Sequence, residues 1–305
     1  MGTCACGRRV GRNRAPPRGI LSDVSFLAAS TVEPLSADRY RALVPDGWQQ
    51  GRAAFGGLVL GTLLRAIEHA EANTTATAAR PSLPRATRTL TGDLCGPVLP
   101  GPVDITVHAL RRGNNQSNLF AELTQQGAVL ATATAVLSTA RLSSTAGARA
   151  IPAFVPPSPP PPAARWGDQA PSPIAPPVAP VFTQHYEYRP ATGGPTGFDA
   201  TGEPFAEGWI RERAVLPALD APALIGRLDA WWPALFALDG APRPVATISF
   251  AAQILVDPAS LPADEPLRHR ARLAALHDGF FVELRELWRG DQIVALNQQT
   301  FAILR

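Results

Sequence analysis

The sequence predicts an α+β protein made of two similar units in tandem, each an antiparallel sheet curled around one long helix. In each half, an apolar helical segment is followed by four strand-like runs. Short internal matches relate the halves, as between Arg85-Ala86-Thr87 and Val245-Ala246-Thr247. A proline-rich stretch separates the two repeats, so the duplication indicates an internal pseudo-dimer.

Composition limits the classes of function that the chain can perform. At 305 residues and 46% apolar content it can bury a large core, and two domains are expected. No window approaches 18 consecutive apolar positions, so no membrane span is predicted. Removing the five arginines of the first 18 residues from the formal net charge of +3 leaves −2. The body of the chain therefore offers no basic surface for a nucleic acid.

The first 23 residues are expected to form a disordered, arginine-rich tail. They lack the apolar central region of a secretory signal, so a cytoplasmic protein is expected. Cys4 and Cys6 form an isolated Cys-x-Cys, and Cys95 lies far from them in the sequence. These cysteines predict neither a disulfide framework nor a metal site.

The first unit is expected to span residues 24–141, with its helix over Phe55–Ala70. Gly56 and Gly57 at the start of this helix would allow a substrate close to exposed N–H groups, which can stabilise a carbonyl oxygen or a phosphate. Glycines that merely permit close helix packing are an equal alternative. Turn residues between apolar runs predict the strands that follow the helix: Arg85–Cys95, Val103–Arg112, Asn118–Gln125 and Val129–Ser138.

Residues 142–181 are expected to form an extended connector because they are dense in proline. A docking site for a partner's aromatic groove is the alternative. The second unit is then expected to span residues 182–305, with its helix over Pro222–Ala237. Its strands are predicted at Phe182–Arg189, Ala206–Arg213, Val245–Val256, Leu267–His277, Phe280–Leu287 and Gln292–Leu304.

The segment between Gly226 and Phe250 places a helical carboxylate just ahead of a strand that carries hydroxyl groups. Apolar residues at spacings of three and four put Asp229 in the first turn of the helical segment that is read from Gly226 onward. An acid there commonly caps the helix, which is the structural alternative to a catalytic role. Trp231 and Trp232 on the same segment are candidates to wall a substrate pocket, although aromatic residues at this spacing are more often core.

Polar residues on two later strands are expected to face the helix that carries Asp229. By alternation Gln299 shares a face with Phe301, and Thr247 shares one with Ser249. A carboxylate, a hydroxyl and an amide that converge on one water would orient it, and the carboxylate could accept its proton during attack on a carbonyl. A satisfied polar core is the alternative.

The segments FGGLVLGTLL, LDAWWPALF, VATIS and IVALNQQTFAIL together resemble the type II acyl-CoA thioesterases, which contain two hotdog domains. The resemblance implies a double hotdog that hydrolyses an acyl-CoA to a carboxylic acid and CoA, without a metal or an organic cofactor. In that family an Asp, a Thr and a Gln hold the catalytic water, and these positions fall on Asp229, Thr247 and Gln299. Family members often associate, so a homo-oligomer is a further expectation.

Two rival functions remain open at this stage. In members of that family the strand that carries the threonine continues with an Asp-His pair. This chain has Ser249-Phe250 at that place. A hydratase or dehydratase would want an Asp and a His near a helix start, and no histidine follows Asp229 at close range. A module that binds acyl-CoA without turnover is the second rival. The sequence has no Gly-x-Ser-x-Gly elbow, which disfavours a serine hydrolase.

Overall fold

The computed structural model describes residues 24–76, 84–140, 166–172, 179–193, 202–239 and 243–304. The expected tail at residues 1–23 and most of the expected connector at 142–181 lie outside these ranges. The dominant feature of the described part is a 12-stranded sheet in which neighbouring strands run antiparallel. Among the described helices, none has the length and apolar character needed to cross a membrane.

The first half follows the predicted order of one long helix and then an antiparallel meander. Helix α2 exceeds its predicted end by six residues, and its first half is buried nearly all round under the sheet. The predicted strands are confirmed to within two residues at each end. The elements are α1 (Phe26–Ala29), β1 (Val32–Pro34), β2 (Arg39–Val44), β3 (Gln49–Gln50), β4 (Ala53–Ala54), α2 (Gly56–Ala76), β5 (Ala86–Leu94), β6 (Gly101–Arg112), β7 (Gln116–Gln125) and β8 (Ala128–Ser138).

The second half repeats this order with a much shorter helix. Its first strand begins at Tyr186, later than predicted, because Val181–His185 forms a 3-10 helix. Further 3-10 helices cover Trp166–Asp168 and Pro258–Ser260. The remaining elements are β9 (Tyr186–Thr192), β10 (Phe205–Glu212), α3 (Ala221–Asp229), α4 (Leu235–Asp239), β11 (Val245–Ile254), β12 (Leu267–His277), β13 (Phe280–Arg289) and β14 (Gln292–Ile303).

The prediction of one continuous helix over Pro222–Ala237 is wrong. Pro233 has no N–H and disfavours helical geometry at the residue before it, so the chain breaks between α3 and α4. Asp229 is the last residue of α3 and does not lie in a first turn. The N-cap is Asp220, whose Oδ1 accepts a 2.8 Å hydrogen bond from the N–H of Ala223. An acid at the negative end of a helix is unfavourable by itself, so capping does not explain Asp229.

The sheet order is symmetric about its centre. The strands follow β1-β2-β6-β7-β8-β5-β11-β14-β13-β12-β10-β9, so each half supplies six strands and the halves join where β5 pairs with β11. Helices α2 and α3 pack against each other in one apolar core, which includes Leu58 and Leu63 from α2 and Leu224 and Leu228 from α3. The start of α2 thereby meets the end of α3.

Candidate active site

Asp229 lies where the two halves meet. Asp229 is the last residue of α3 and is only 8% exposed. A Cβ atom added to Gly56 would lie 3.0 Å from Asp229 Oδ2, and one added to Gly57 would lie 3.0 Å from Asp229 Cβ. The two glycines therefore allow the first turn of α2 to approach the carboxylate closely.

Gln299 and Thr247 form a hydrogen-bonded pair beside this carboxylate. Thr247 Oγ1 donates to Gln299 Oε1 over 3.4 Å, and Gln299 is fully buried in β14. Gln299 Nε2 makes no hydrogen bond of ordinary geometry within the described residues. It is nevertheless close enough to Asp229 to lower the pKa of that carboxyl. The bond from Thr247 thus fixes the amide so that its nitrogen is left for Asp229 or for a small molecule beside it.

A β-bulge gives Thr247 its orientation. Thr247 pairs with Phe301 and Ser249 pairs with Thr300, so Ile248 is the extra residue on β11. The expectation that Thr247 and Ser249 share a face is therefore wrong, because the bulge shifts the alternation by one residue. Thr247 is on the same face as Gln299, whereas Ser249 is turned to the opposite side.

Burial raises the pKa of Asp229 above the ordinary value for an aspartate. The Arg285 guanidinium, the backbone N–H of Gly57 and the Gln299 side chain all oppose this rise without cancelling it. A carboxylate with a raised pKa is a stronger base than an exposed one once it is ionised.

A buried ion pair binds the helix end that carries Asp229. Arg285 Nη1 donates to the carbonyl oxygens of Leu228 and Asp229 over 3.1 and 3.3 Å. Arg285 Nη2 pairs with Glu283 Oε2 over 3.0 Å, and both residues are buried. The sequence analysis did not predict this ion pair. Alternation nevertheless places Glu283 and Arg285 on the inward face of β13 beside Phe281. Two charges at inward positions of a strand were the available signal.

Two further side chains bind the same helix end. His269 Nε2 lies 3.2 Å from the carbonyl oxygen of Leu228, and the Tyr188 hydroxyl donates to the carbonyl oxygen of Ala230 over 3.1 Å. Burial lowers the pKa of His269 well below its usual value, so the imidazole is neutral and donates from Nε2. The carbonyls at the end of α3 are thus satisfied by side chains from three strands.

Trp231 and Trp232, expected as pocket walls, lie just beyond Asp229 but in different surroundings. Trp231 is 2% exposed and stacks between Trp232 and His269, with ring centroids 4.2 and 5.0 Å apart. Trp232 is partly exposed, and its Nε1 donates to the carbonyl oxygen of Gly193 over 2.7 Å. Trp231 has the contacts of a core residue, and a contact of Trp232 with substrate stays a prediction.

Comparison with known families identifies both halves. Residues 44–138 match the family model of the acyl-CoA thioesterase N-terminal domain, and residues 153–303 match that of the C-terminal domain. Across the described residues, no group of three or more His, Cys, Asp or Glu side chains is arranged to hold a metal ion. A search of curated proteins found no match.

Solved structures with the same architecture extend over almost the whole chain. A hot dog fold protein from Alicyclobacillus acidocaldarius is 23% identical with a TM-score of 0.74, over 92% of this chain and 98% of that one. The acyl-CoA thioesterase II TesB2 of Mycobacterium marinum is 19% identical with a TM-score of 0.61, over 92% and 98%. A TesB protein of Mycobacterium avium subsp. paratuberculosis is 15% identical with a TM-score of 0.67, over 92% and 98%.

At these identities the structural matches establish the fold, a double hotdog, and the two domain matches establish the family. Together the domain matches span most of the sequence and place the N-terminal type before the C-terminal type. The chain therefore belongs to the acyl-CoA thioesterase family.

Proposed function

We propose that this protein hydrolyses an acyl-CoA thioester to a carboxylic acid and free CoA, with Asp229 as the general base. The observation that carries the proposal is the meeting of a buried carboxylate, a fixed amide and a helix start at one point. Asp229, Gln299 and the first turn of α2 come from three different elements. A structural carboxylate at the negative end of a helix would be costly without such a role.

In the proposed reaction, a water held by Asp229 and the Gln299 amide attacks the thioester carbonyl carbon. Asp229 accepts one proton from the water as the new carbon–oxygen bond forms. The tetrahedral intermediate collapses, the carbon–sulfur bond breaks, and the proton passes from Asp229 to the departing thiolate. Thr247 acts through Gln299, since its hydroxyl orients the amide. One thioester and one water yield one acid and one thiol, and no acyl-enzyme forms.

The carbonyl oxygen gains negative charge in the intermediate and needs a donor. The first turn of α2 is the nearest helix start, and an N-terminal turn offers N–H groups without intrahelical partners. The N–H of Gly57 already interacts with the Asp229 carboxylate. The N–H groups of Leu58 and Val59 both donate to the carbonyl oxygen of Phe55. The donor to the substrate would then be the N–H of Gly56.

Release of free thiol from short, long and branched acyl-CoA esters tests the proposal. We expect turnover by the parent protein and a loss of several orders of magnitude in Asp229→Asn with the fold retained. Binding of acyl-CoA without hydrolysis of any ester would favour the binding module instead.

Four finer expectations from the sequence stay predictions. They are the domain limits at residues 24–141 and 182–305, the homo-oligomer, the cytoplasmic location and a place in fatty acid metabolism. Size-exclusion chromatography with light scattering checks the oligomer, and limited proteolysis between residues 142 and 181 checks the boundary.

A further inference from the structure

We infer that Arg285 is a positioning residue for the candidate base: paired with Glu283, it fixes the end of α3 and presents its positive charge to Asp229. This inference rests on the proposed function, because it assigns Arg285 a part in the same reaction. Arg285 touches neither the attacking water nor the thioester in this arrangement. It acts through the backbone and the charge of Asp229.

The first argument is geometric. Arg285 Nη1 reaches the carbonyl oxygens of both Leu228 and Asp229, and its Nε and Nη2 both bond to Glu283 Oε2 over 3.1 and 3.0 Å. Glu283 Oε1 in turn accepts a 3.3 Å bond from the N–H of Leu235 at the start of α4. The ion pair therefore connects the end of α3 to the start of α4 across the break at Pro233. Asp229 lies at the α3 side of this break.

The second argument concerns the cost of the pair. Both partners are buried, and a buried ion pair commonly contributes no more stability than apolar residues of similar volume. Stability alone therefore gives little reason for its presence. The carbonyl oxygens at the end of α3 carry partial negative charge close to an ionisable carboxyl. A guanidinium that binds them offsets this charge where Asp229 must ionise.

Arg285 is the cation that acts on Asp229 among the groups packed around it. Tyr186 and Tyr188 of β9 and His269 of β12 face this region, and burial keeps all three neutral by raising the tyrosine pKa values and lowering that of the histidine. Arg285 lowers the pKa of Asp229, whereas its partner Glu283 has no resolved effect on that pKa. Arg227, on the same helix, pairs electrostatically with Glu212.

The test is the double variant Glu283→Leu/Arg285→Met, which removes both charges and keeps the site apolar. We expect the variant to fold because no unpaired charge is left in the core, with a melting temperature a few degrees below the parent because the Asp229 carbonyl and the Leu235 N–H lose these partners. We also expect kcat/KM to fall about 100-fold, the size of loss that a misplacement of about 1 Å causes. The acid limb of its pH profile should move to higher pH, because the cation that lowers the Asp229 pKa is gone. A parent-like kcat/KM and an unmoved limb would overturn the inference.

Arg270→Gln is the matched control. Arg270 forms ion pairs with Glu207 and Glu286 over 3.0 and 2.9 Å in the same half of the sheet, without a hydrogen bond to α3. We expect it to leave the acid limb where it is. If the double variant fails to fold, Arg285→Lys keeps the charge and loses the forked geometry. It should lower kcat with an unmoved limb, and a parent-like kcat would then count against positioning.

A second readout separates this inference from the proposed function. The Asp229 carboxyl carbon is assigned by ¹³C NMR through its loss in Asp229→Asn and titrated in the parent and in the double variant. If the parent hydrolyses no ester, the proposed function fails, yet a higher Asp229 pKa in the double variant still supports the action of Arg285. An unchanged titration overturns it whatever the outcome of the activity assay.

Discussion

The two halves place a threonine at equivalent points and surround it differently. Thr87 in β5 and Thr247 in β11 each stand just before a β-bulge. Thr87 Oγ1 donates directly to Glu68 Oε1 of helix α2 over 2.6 Å, whereas Thr247 Oγ1 donates to Gln299 Oε1. In the first half the threonine hydroxyl therefore bonds directly to the carboxylate of the helix. In the second half the threonine hydroxyl bonds to the Gln299 amide instead of to the Asp229 carboxylate.

The position of Gln299 is an alanine in the first half. Gln299 pairs with Phe250, three residues after Thr247, and Ala135 pairs with Leu90, three residues after Thr87. Ala135 is fully buried and has no polar side-chain group. The first half therefore lacks the amide that would hold a water beside its carboxylate.

The helix starts differ in the same sense. At the start of α3, Asp220 bonds to the N–H of Ala223 and pairs with Arg65 over 2.9 Å. Helix α2 has no acid in its first turn and faces Asp229 from the other half. The start of α3 is capped by Asp220, whereas the start of α2 lies against the candidate base, Asp229. The three parts of the proposed site, a carboxylate, an amide and an uncapped helix start, therefore come together around Asp229 and not around Glu68.

The largest expected effect comes from removing each carboxylate in turn. Asp229→Asn should lower kcat/KM for acyl-CoA hydrolysis at least about 10³-fold, because the amide cannot accept the proton of the attacking water. Glu68→Gln, the counterpart in the first half, should stay within about twofold, since Glu68 is no part of the proposed reaction. Equal losses in the two variants would remove the distinction between the halves. Thiol release measures both.

The next largest effect is expected when Gln299 is replaced by alanine, the residue at the equivalent position of the first half, Ala135. Gln299→Ala should lower kcat about 10²-fold, the usual loss when one oriented polar group of an active site is removed. Gln298→Ala is the matched control because Gln298 is exposed on the opposite face of the same strand. Steady-state kinetics of both variants suffice, and a loss in the control of similar size would point to damage of β14 as a whole.

A smaller effect is expected at the start of α2. The Cβ of Gly57→Ala would lie 2.5 Å from the Phe55 ring and 3.0 Å from Asp229 Cβ, so the ring must move and the Asp229 side chain must give by a few tenths of an ångström. We expect about a 10-fold loss in kcat/KM, since catalysis is sensitive to sub-ångström misplacement. In Gly167→Ala the added Cβ would meet nothing within 4 Å, and its activity should be unchanged. Activity of Gly57→Ala equal to the parent would show that the close approach is dispensable.

The smallest effect is on stability. Because the folded-state pKa of Asp229 is raised, its contribution to stability is full below the unfolded-state value and is lost as the pH rises through the folded-state value. Asp229→Asn should therefore melt about 2–4 °C above the parent at neutral pH, the shift produced by a gain of about 1 kcal/mol. The difference should shrink in acid. Calorimetry across the pH range would contradict this if the variant melted lower at neutral pH.

The strand pattern was readable from the sequence because both sheet halves bury one face and expose the other. The strand-like run Leu267–His277 matches β12 without error, and turn residues predicted the hairpins. The helix of the second half was misread because apolar spacing continues across Trp231 and Trp232, while the break depends on the backbone chemistry of Pro233. Periodicity reports which face is buried and says nothing about a missing N–H.

The candidate site was only partly predictable. Strand alternation and the resemblance to a family supplied Asp229, Thr247 and Gln299, whereas alternation wrongly put Ser249 on the same face as Thr247 because it cannot foresee a bulge. Arg285 escaped notice because its partners include the backbone carbonyls of Leu228 and Asp229, which become acceptors only once α3 ends. Contacts between distant elements are set by the packing of the two halves, which no local pattern encodes.

A single turnover in H₂¹⁸O, with enzyme in excess over acyl-CoA, tests most directly whether Asp229 activates a water that attacks the thioester carbonyl. Mass spectrometry of the released acid and of the peptide that contains Asp229 gives the position of the label. We predict one ¹⁸O atom in the acid and none on Asp229. An unlabelled acid with ¹⁸O on the Asp229 carboxyl would show that the carboxylate attacks the carbonyl itself, and would contradict its role as general base.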